Sequence, residues 1–152
     1  MSNIKKSCKK IAKYAMTKIG MYSEEALELI MRTGQAESGY KCLRQVGGPA
    51  IGFWQMEPNT MFDIMDNYVL YRPQLRTDLQ AIGYNDSNPT VVLLGNILLQ
   101  AALCRVHYRR VPEKLPKLGD IKGQARYWKK YYNTDQGKGT EEKYIDTVRE
   151  YL

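Results

Sequence analysis

With 152 residues, 43% of them hydrophobic and 26% charged, the chain is long enough for one domain with its own core and has the composition of a soluble globular protein. The net charge of +7 points to an anionic partner: nucleic acid, an acidic envelope, or a carboxylate-bearing wall polymer. Three cysteines (Cys8, Cys42 and Cys104) at no metal-ligand spacing and one histidine, His107, leave little for a disulfide framework, a zinc site or Ser-His catalysis.

Residues 4–19 read as a basic amphipathic helix, with Ile4, Ile11, Ala15 and Ile19 on its apolar side and lysines elsewhere. Lysines 5, 6, 9, 10, 13 and 18 interrupt every apolar run, so no signal-peptide core is expected. Residues 1–20 are therefore expected as a helix packed on a single domain spanning 1–152. Gly20 can end this helix, and Ser23 followed by Glu24 and Glu25 is an N-cap with acidic first-turn residues for the next.

That second helix runs into residues 34–60, GQAESGYKCLRQVGGPAIGFWQMEPNT. At ~100° per residue, Ala26, Ile30 and Gly34 lie near the direction of Glu37, while Glu25, Glu28, Arg32 and Gln35 point away. Glu37 is thus expected on the inward face at the helix C-terminus. Low dielectric and the negative end of the helix dipole both favour its protonated form there. A carboxyl group protonated near neutral pH is what a general acid requires. The structural alternative is a glutamate at a helix end paired with one of the many basic side chains.

Gly47, Gly48, Pro49 and Gly52 mark a tight, backbone-accessible turn after Glu37. Phe53, Trp54, Gln55 and Met56 place two rings and an amide beside it, suitable walls for a sugar, with one of the two rings expected to be an ordinary core residue. Pro58 ends the loop, and Asn59 or Thr60 is expected to cap the next helix. Residues 60–70 and 73–82 read as short helices, and residues 85–89 as a turn cluster. Residues 90–108 are apolar nearly all round, which predicts one buried helix. Asn96 and Gln100, one turn apart, need partners: they line a cleft or bond to loop backbone. The most apolar stretch, residues 91–106, is short of the ~20 needed for a membrane span.

Residues 109–119, with Pro112 and Pro116, form a connector. Asp120 starts a helix carrying Tyr127, Trp128, Tyr131 and Tyr132; residues 137–140 break it. Thr140 caps a last helix whose apolar face is Tyr144, Ile145, Val148 and Leu152. Strand signals are nearly absent. The fold class is mainly α, with at most a rudimentary β-hairpin between residues 40 and 55.

Glu37-Ser38, then Gly52-Phe53-Trp54-Gln55, then Pro58 and Thr60, resembles the soluble lytic transglycosylase family, a branch of the lysozyme superfamily. That family carries a Glu-Ser pair, a Gly-Leu-Met-Gln signature and a nearby proline; Phe53 and Trp54 replace its Leu and Met. Downstream, Tyr131-Tyr132-Asn133 followed by Gly137 and Gly139 resembles its Ala-Tyr-Asn-x-Gly segment. The stretch GPAIGFWQMEP also resembles bacteriophage-encoded members.

The resemblance implies a lysozyme-like domain that cleaves the β-1,4 bond between N-acetylmuramic acid and N-acetylglucosamine in peptidoglycan. Glu37 would be the catalytic acid and base, giving a 1,6-anhydro product because the substrate supplies its own nucleophile. Ser38, Tyr40, Gly52, Phe53, Trp54, Gln55, Tyr132 and Asn133 would bind substrate or shape the cleft, with Tyr132 and Asn133 closing it over Glu37. No metal and no organic cofactor is implied. The expected partners are peptidoglycan glycan strands and, by charge, the anionic cell envelope, with no specific nucleic acid, no transmembrane segment and a monomeric state. Without a signal peptide, such an enzyme would be made in the host cytoplasm and reach the wall at phage lysis or carried in the virion.

One departure from the family pattern is Glu57, where an apolar residue is usual before the proline. Facing the cleft, it would be a second carboxylate able to activate water and turn the outcome to hydrolysis. Facing solvent, it is a loop charge. Two further classes stay open: a non-catalytic virion component on the same fold, and a basic nucleic-acid-binding module, although the chain carries no recognised motif for the latter.

Overall fold

Eight α-helices run through the computed structural model, which describes residues 1–41, 43–134 and 137–149. Cys42 and Leu152, named above, lie outside the described residues. The helices are α1 (Asn3–Lys18), α2 (Glu24–Glu37), α3 (Pro58–Asn67), α4 (Pro73–Ala81), α5 (Pro89–Gly95), α6 (Ile97–Arg109), α7 (Ile121–Trp128) and α8 (Glu141–Arg149). A 3-10 turn, Val69–Tyr71, joins α3 to α4, and a π-helical turn, Lys129–Asn133, extends α7. The mainly helical class expected from the sequence is what the chain adopts.

Local chemistry sets most helix starts. Ser23 Oγ accepts from the Ala26 N–H at 3.0 Å, and Asp120 Oδ1 from the Gly123 N–H at 2.9 Å. Thr140 Oγ1 accepts from the Lys143 N–H at 3.1 Å. Each cap of this kind stabilises its helix by ~1 kcal/mol. Prolines 58, 73 and 89 open α3, α4 and α5, where the missing N–H costs nothing; α3 thus starts ahead of Asn59 and Thr60, the expected caps, with Glu57 at its N-cap position.

Helix α6 is the axis of the core. Leu99, Ala101, Ala102, Leu103, Cys104 and Val106 are wholly inaccessible, and α1, α2, α3 and α5 pack around them. Truncating one such side chain, as in Leu99→Ala, costs ~2–5 kcal/mol, a large share of the ~5–15 kcal/mol that holds a domain folded. A smaller cluster of Ala125, Trp128, Tyr144 and Val148 joins α7 to α8, with Ala36 and Tyr132 packed against it.

Two expectations need correction. The single helix over 90–108 is two, α5 and α6, bent by 108° at Asn96. Asn96 Oδ1 caps α6 by accepting from the Leu99 N–H at 3.0 Å, while its Nδ2 donates to the Ile82 carbonyl at 2.8 Å. A side chain that satisfies both a helix start and a distant carbonyl outweighs continued apolar helix. No single helix among the described residues is long and apolar enough to cross a membrane. The inward face of α1 is Lys5, Cys8, Ala12, Ala15, Met16 and Ile19, whereas Ile4 is exposed. That stripe is rotated by roughly 60° from the expected one, because small Ala and Cys side chains let α1 approach α6 closely.

Between α2 and α3 the chain makes no strand among the described residues. It has two isolated antiparallel bridges, Arg44 to Ile51 and Ile51 to Met56. Ile51 and Met56 exchange both backbone hydrogen bonds, at 2.8 and 3.0 Å. Gln100 of α6 pins this loop from below. Its Oε1 accepts from the Phe53 N–H at 3.1 Å and its Nε2 donates to the Leu93 carbonyl at 2.8 Å. Gly52 rests on that amide with φ +82°, and a Cβ there would lie 2.4 Å from Gln100 Cδ. Gly52 is therefore required twice over, by conformation and by space.

Candidate functional site

Helix α2 ends at Glu37, with Ala26, Ile30 and Gly34 buried on the same side as expected; Gln35, expected to point away, is buried as well. The carboxyl group is half-buried in the wall of a cleft of about 890 Å³. The remaining lining comes from the loop before α3 and the first turn of α3, His107 of α6, Trp128 of α7, the π-helical turn, residues 137–139, and α8.

Burial pushes the Glu37 carboxyl up to about 7, against the opposing effect of a hydrogen bond from Trp128 Nε1 to Oε1 at 3.1 Å. Among the described residues no Lys or Arg pairs with it; the ion pairs formed are Glu28–Arg32, Asp86–Arg76, Asp63–Arg110 and Glu113–Arg126. The structural alternative of an ion-paired helix end is therefore not what forms. Near neutral pH this group is divided between acid and base, the condition for donating and then recovering a proton.

Ser38 lines the cleft, but its hydroxyl is used within the chain. Oγ donates to the Phe53 carbonyl at 2.6 Å and accepts from the Tyr40 N–H at 3.0 Å. It ties the end of α2 to the loop and so fixes Glu37 relative to the opposite wall. Gln55 also lines the cleft; its φ of 49° is held by an Nε2 hydrogen bond to the Gly52 carbonyl at 2.9 Å. Its carbonyl oxygen makes no side-chain hydrogen bond among the described residues.

Tyr40, Gly52, Phe53 and Trp54, expected on the cleft wall, are buried behind it. Trp54 Nε1 donates to the Ile30 carbonyl at 2.9 Å, and the Tyr40 hydroxyl to the Met31 carbonyl at 2.7 Å. The three rings meet at centroid distances of 5.7 to 6.5 Å. Both rings of the Phe-Trp pair are thus core, and together they seat the loop against α2. Gly34 makes room for Tyr40, since a Cβ there would lie 2.3 Å from the hydroxyl oxygen.

Tyr132 and Asn133 do reach the cleft. The Tyr132 hydroxyl donates to the Trp54 carbonyl at 2.5 Å, clamping the π-helical turn to the loop. Lys129 Nζ spends its three donors on Asn133 Oδ1 at 2.7 Å, the Thr134 carbonyl at 2.8 Å and the Gly137 carbonyl at 3.1 Å. Gly137 and Gly139 run close over Asn133 and Trp128; a Cβ would lie 2.4 Å from Asn133 Oδ1 in the first case and 2.5 Å from Trp128 Cη2 in the second. The Tyr-Asn and Gly-x-Gly pieces of the sequence are thus one packed unit beside Glu37.

Glu57 is exposed at the rim of the same cleft, at the N-cap of α3, where its side chain makes no capping bond. It is a solvated charge that borders the site. Asp146 is a second exposed carboxylate bordering the cleft, which Arg44, Lys138 and Lys143 also line.

Sequence reasoning assigned no role to Trp128, Lys129, His107 or the α8 wall. Trp128 and Tyr132 are one helical turn apart, so their shared face was accessible from spacing. The bond from Trp128 to Glu37 spans 91 positions and has no local signature. Among the described residues no three His, Cys, Asp or Glu side chains group as metal ligands. Compared with protein-family models, curated proteins and solved structures, the chain matches none.

Proposed function

We propose that this chain is a peptidoglycan-cleaving glycosidase of the lytic transglycosylase type, on a lysozyme-like helical fold, acting at the bacterial wall as a phage lysis or virion-associated enzyme. The single observation that carries this reading is Glu37, a half-buried carboxyl group without an ion-pair partner among the described residues, raised to about 7 in the wall of a cleft of about 890 Å³. The motif residues Ser38, Gln55, Tyr132 and Asn133 bordering that same cleft support it further.

Protonated Glu37 gives its proton to the glycosidic oxygen as the bond to the muramoyl anomeric carbon breaks, and the leaving sugar departs as an alcohol. The carboxylate then accepts the proton of the muramoyl 6-hydroxyl as that oxygen bonds to the anomeric carbon. This closes the 1,6-anhydro ring and regenerates the acid, so one carboxyl group serves both steps. Trp128 stabilises the carboxylate form through its N–H and holds its orientation.

Glu57 at the rim favours one second reading, hydrolysis of the same bond by water activated at a second carboxylate. Mass spectrometry of muropeptides released from purified peptidoglycan tests both. Anhydro ends are expected, reducing ends would transfer the assignment to hydrolysis, and absence of release would remove the enzymatic reading.

A further inference from the structure

His107 is the only histidine in the chain and borders the cleft from α6. Its ring meets Tyr132 edge to face at 5.1 Å, and Arg110 Nη2 lies 3.0 Å from its Nδ1. A guanidinium can only donate, so Nδ1 must accept and the ring proton must sit on Nε2. Arg110 is itself fixed by Asp63 of α3, at 2.7 Å. The chain from Asp63 through Arg110 to His107 thus sets the tautomer. Burial holds the imidazole down at about 4, with the Arg110 charge acting in the same direction and Asp63 against it.

The other end of the ring is unspent. Nε2 makes no hydrogen bond among the described residues, and it is not one of the buried polar atoms left without a partner. An N–H that makes no hydrogen bond and keeps some solvent access, on a partly buried residue lining the cleft, is a donor for whatever occupies that cleft. Its neutrality suits an uncharged acceptor, and the adjoining Tyr132, an aromatic ring that also lines the cleft, suits a neighbouring methyl group. A carbonyl carrying a methyl is the shape of an acetamido group.

We propose that His107 is a substrate-binding residue whose Nε2–H donates to the acetamido carbonyl oxygen of an N-acetylated sugar in the cleft. The inference rests on the glycosidase reading above and adds a determinant of substrate class to it. Deacetylated glycans lack the acceptor and are bound poorly.

The Glu37→Gln protein, which binds without turnover on this reading, is the reference for the test. Its affinity for an N-acetylglucosamine oligomer and for the deacetylated oligomer is measured by calorimetry. His107→Phe in that background is expected to weaken the first by about tenfold, the loss of one neutral hydrogen bond, and to leave the second unchanged. His107→Gln, which keeps an N–H donor, recovers part of the loss. Because the chain has a single histidine, ring-¹⁵N labelling reads the same contact without any substitution there. Nδ1 should be unprotonated, Nε2 protonated, and the Nε2 signal should move when the acetylated oligomer binds. Binding by the reference protein with an unmoved Nε2 signal, or with equal affinity in His107→Phe, overturns the role of His107 and spares the glycosidase reading. No binding of either oligomer by the reference protein overturns both.

Discussion

Trp128 Nε1 donates to Glu37 Oε1 at 3.1 Å, joining the end of α2 to the end of α7 across 91 positions of sequence. The bond supports the charged carboxylate, while burial of the same group opposes it and dominates, leaving the carboxyl at about 7. The two residues thus set both the place and the protonation of the proposed acid.

The first expected outcome concerns Glu37 itself. Glu37→Gln keeps the shape and removes the proton donor, so peptidoglycan turnover should fall by ~10² or more. In the wild type, kcat/KM should decline as pH rises through about 7, because the acid form is then lost. Stability should follow the same group. An unfolded glutamate titrates near ~4.3, so between that value and about 7 the folded chain holds a proton that the unfolded chain has released. The stabilisation is fully present below the lower value and is lost as pH rises through the upper one. Chemical denaturation across this range should show a decline that Glu37→Gln lacks. Near-normal turnover by the variant would end the mechanism.

Trp128→Phe separates the two influences on the carboxyl. Losing the donor removes what lowers the Glu37 pKa, so the basic limb of the pH–rate profile should move to higher pH. The indole is nearly inaccessible and packs on Tyr144 at 5.2 Å, so the variant should also lose ~1–3 kcal/mol of stability. A limb that stays in place or moves down would show that the bond does not act on Glu37 in solution.

Ser38→Ala tests whether the serine serves the loop or the substrate. Its hydroxyl bonds both the Phe53 carbonyl and the Tyr40 N–H, and leaving such groups unpaired costs ~1–3 kcal/mol. Stability and kcat should therefore fall together, with KM little affected. A raised KM at unchanged thermal midpoint would place the hydroxyl on the sugar instead.

Much of this site is legible in the chain because its pieces are local. Steps of 100° place Glu37 beside Ala26, Ile30 and Gly34, and those residues are buried as a set. The caps at Ser23, Asp120 and Thr140 follow from side chains that bond to backbone three residues ahead. What fails is what depends on distant partners. Nothing near Phe53 and Trp54 in sequence says that Gln100 and Ile30 draw that loop inward. Asn96 breaks an apolar run because a carbonyl at Ile82 is within reach, a fact of the fold and not of the run. The phase of α1 is set by Ala12, Ala15 and Cys8 fitting against α6, where small size outranks the hydrophobicity of Ile4.

Substitution of Glu57 separates the two proposed reactions. It is exposed at the start of α3 on the rim of the cleft that holds Glu37. A water-activating carboxylate opposite the acid stands ~6.5–9.5 Å from it, and its removal abolishes turnover. A solvated rim charge contributes little, because water already screens it. On the transglycosylase reading, Glu57→Gln should keep both rate and product nearly intact, with anhydro-muramic ends dominating. Digestion of purified peptidoglycan by the two proteins, with end groups read by mass spectrometry, provides the comparison. Reducing ends from the wild type that disappear with Glu57→Gln would keep the fold and the acid but exchange the muramoyl hydroxyl for water as the nucleophile.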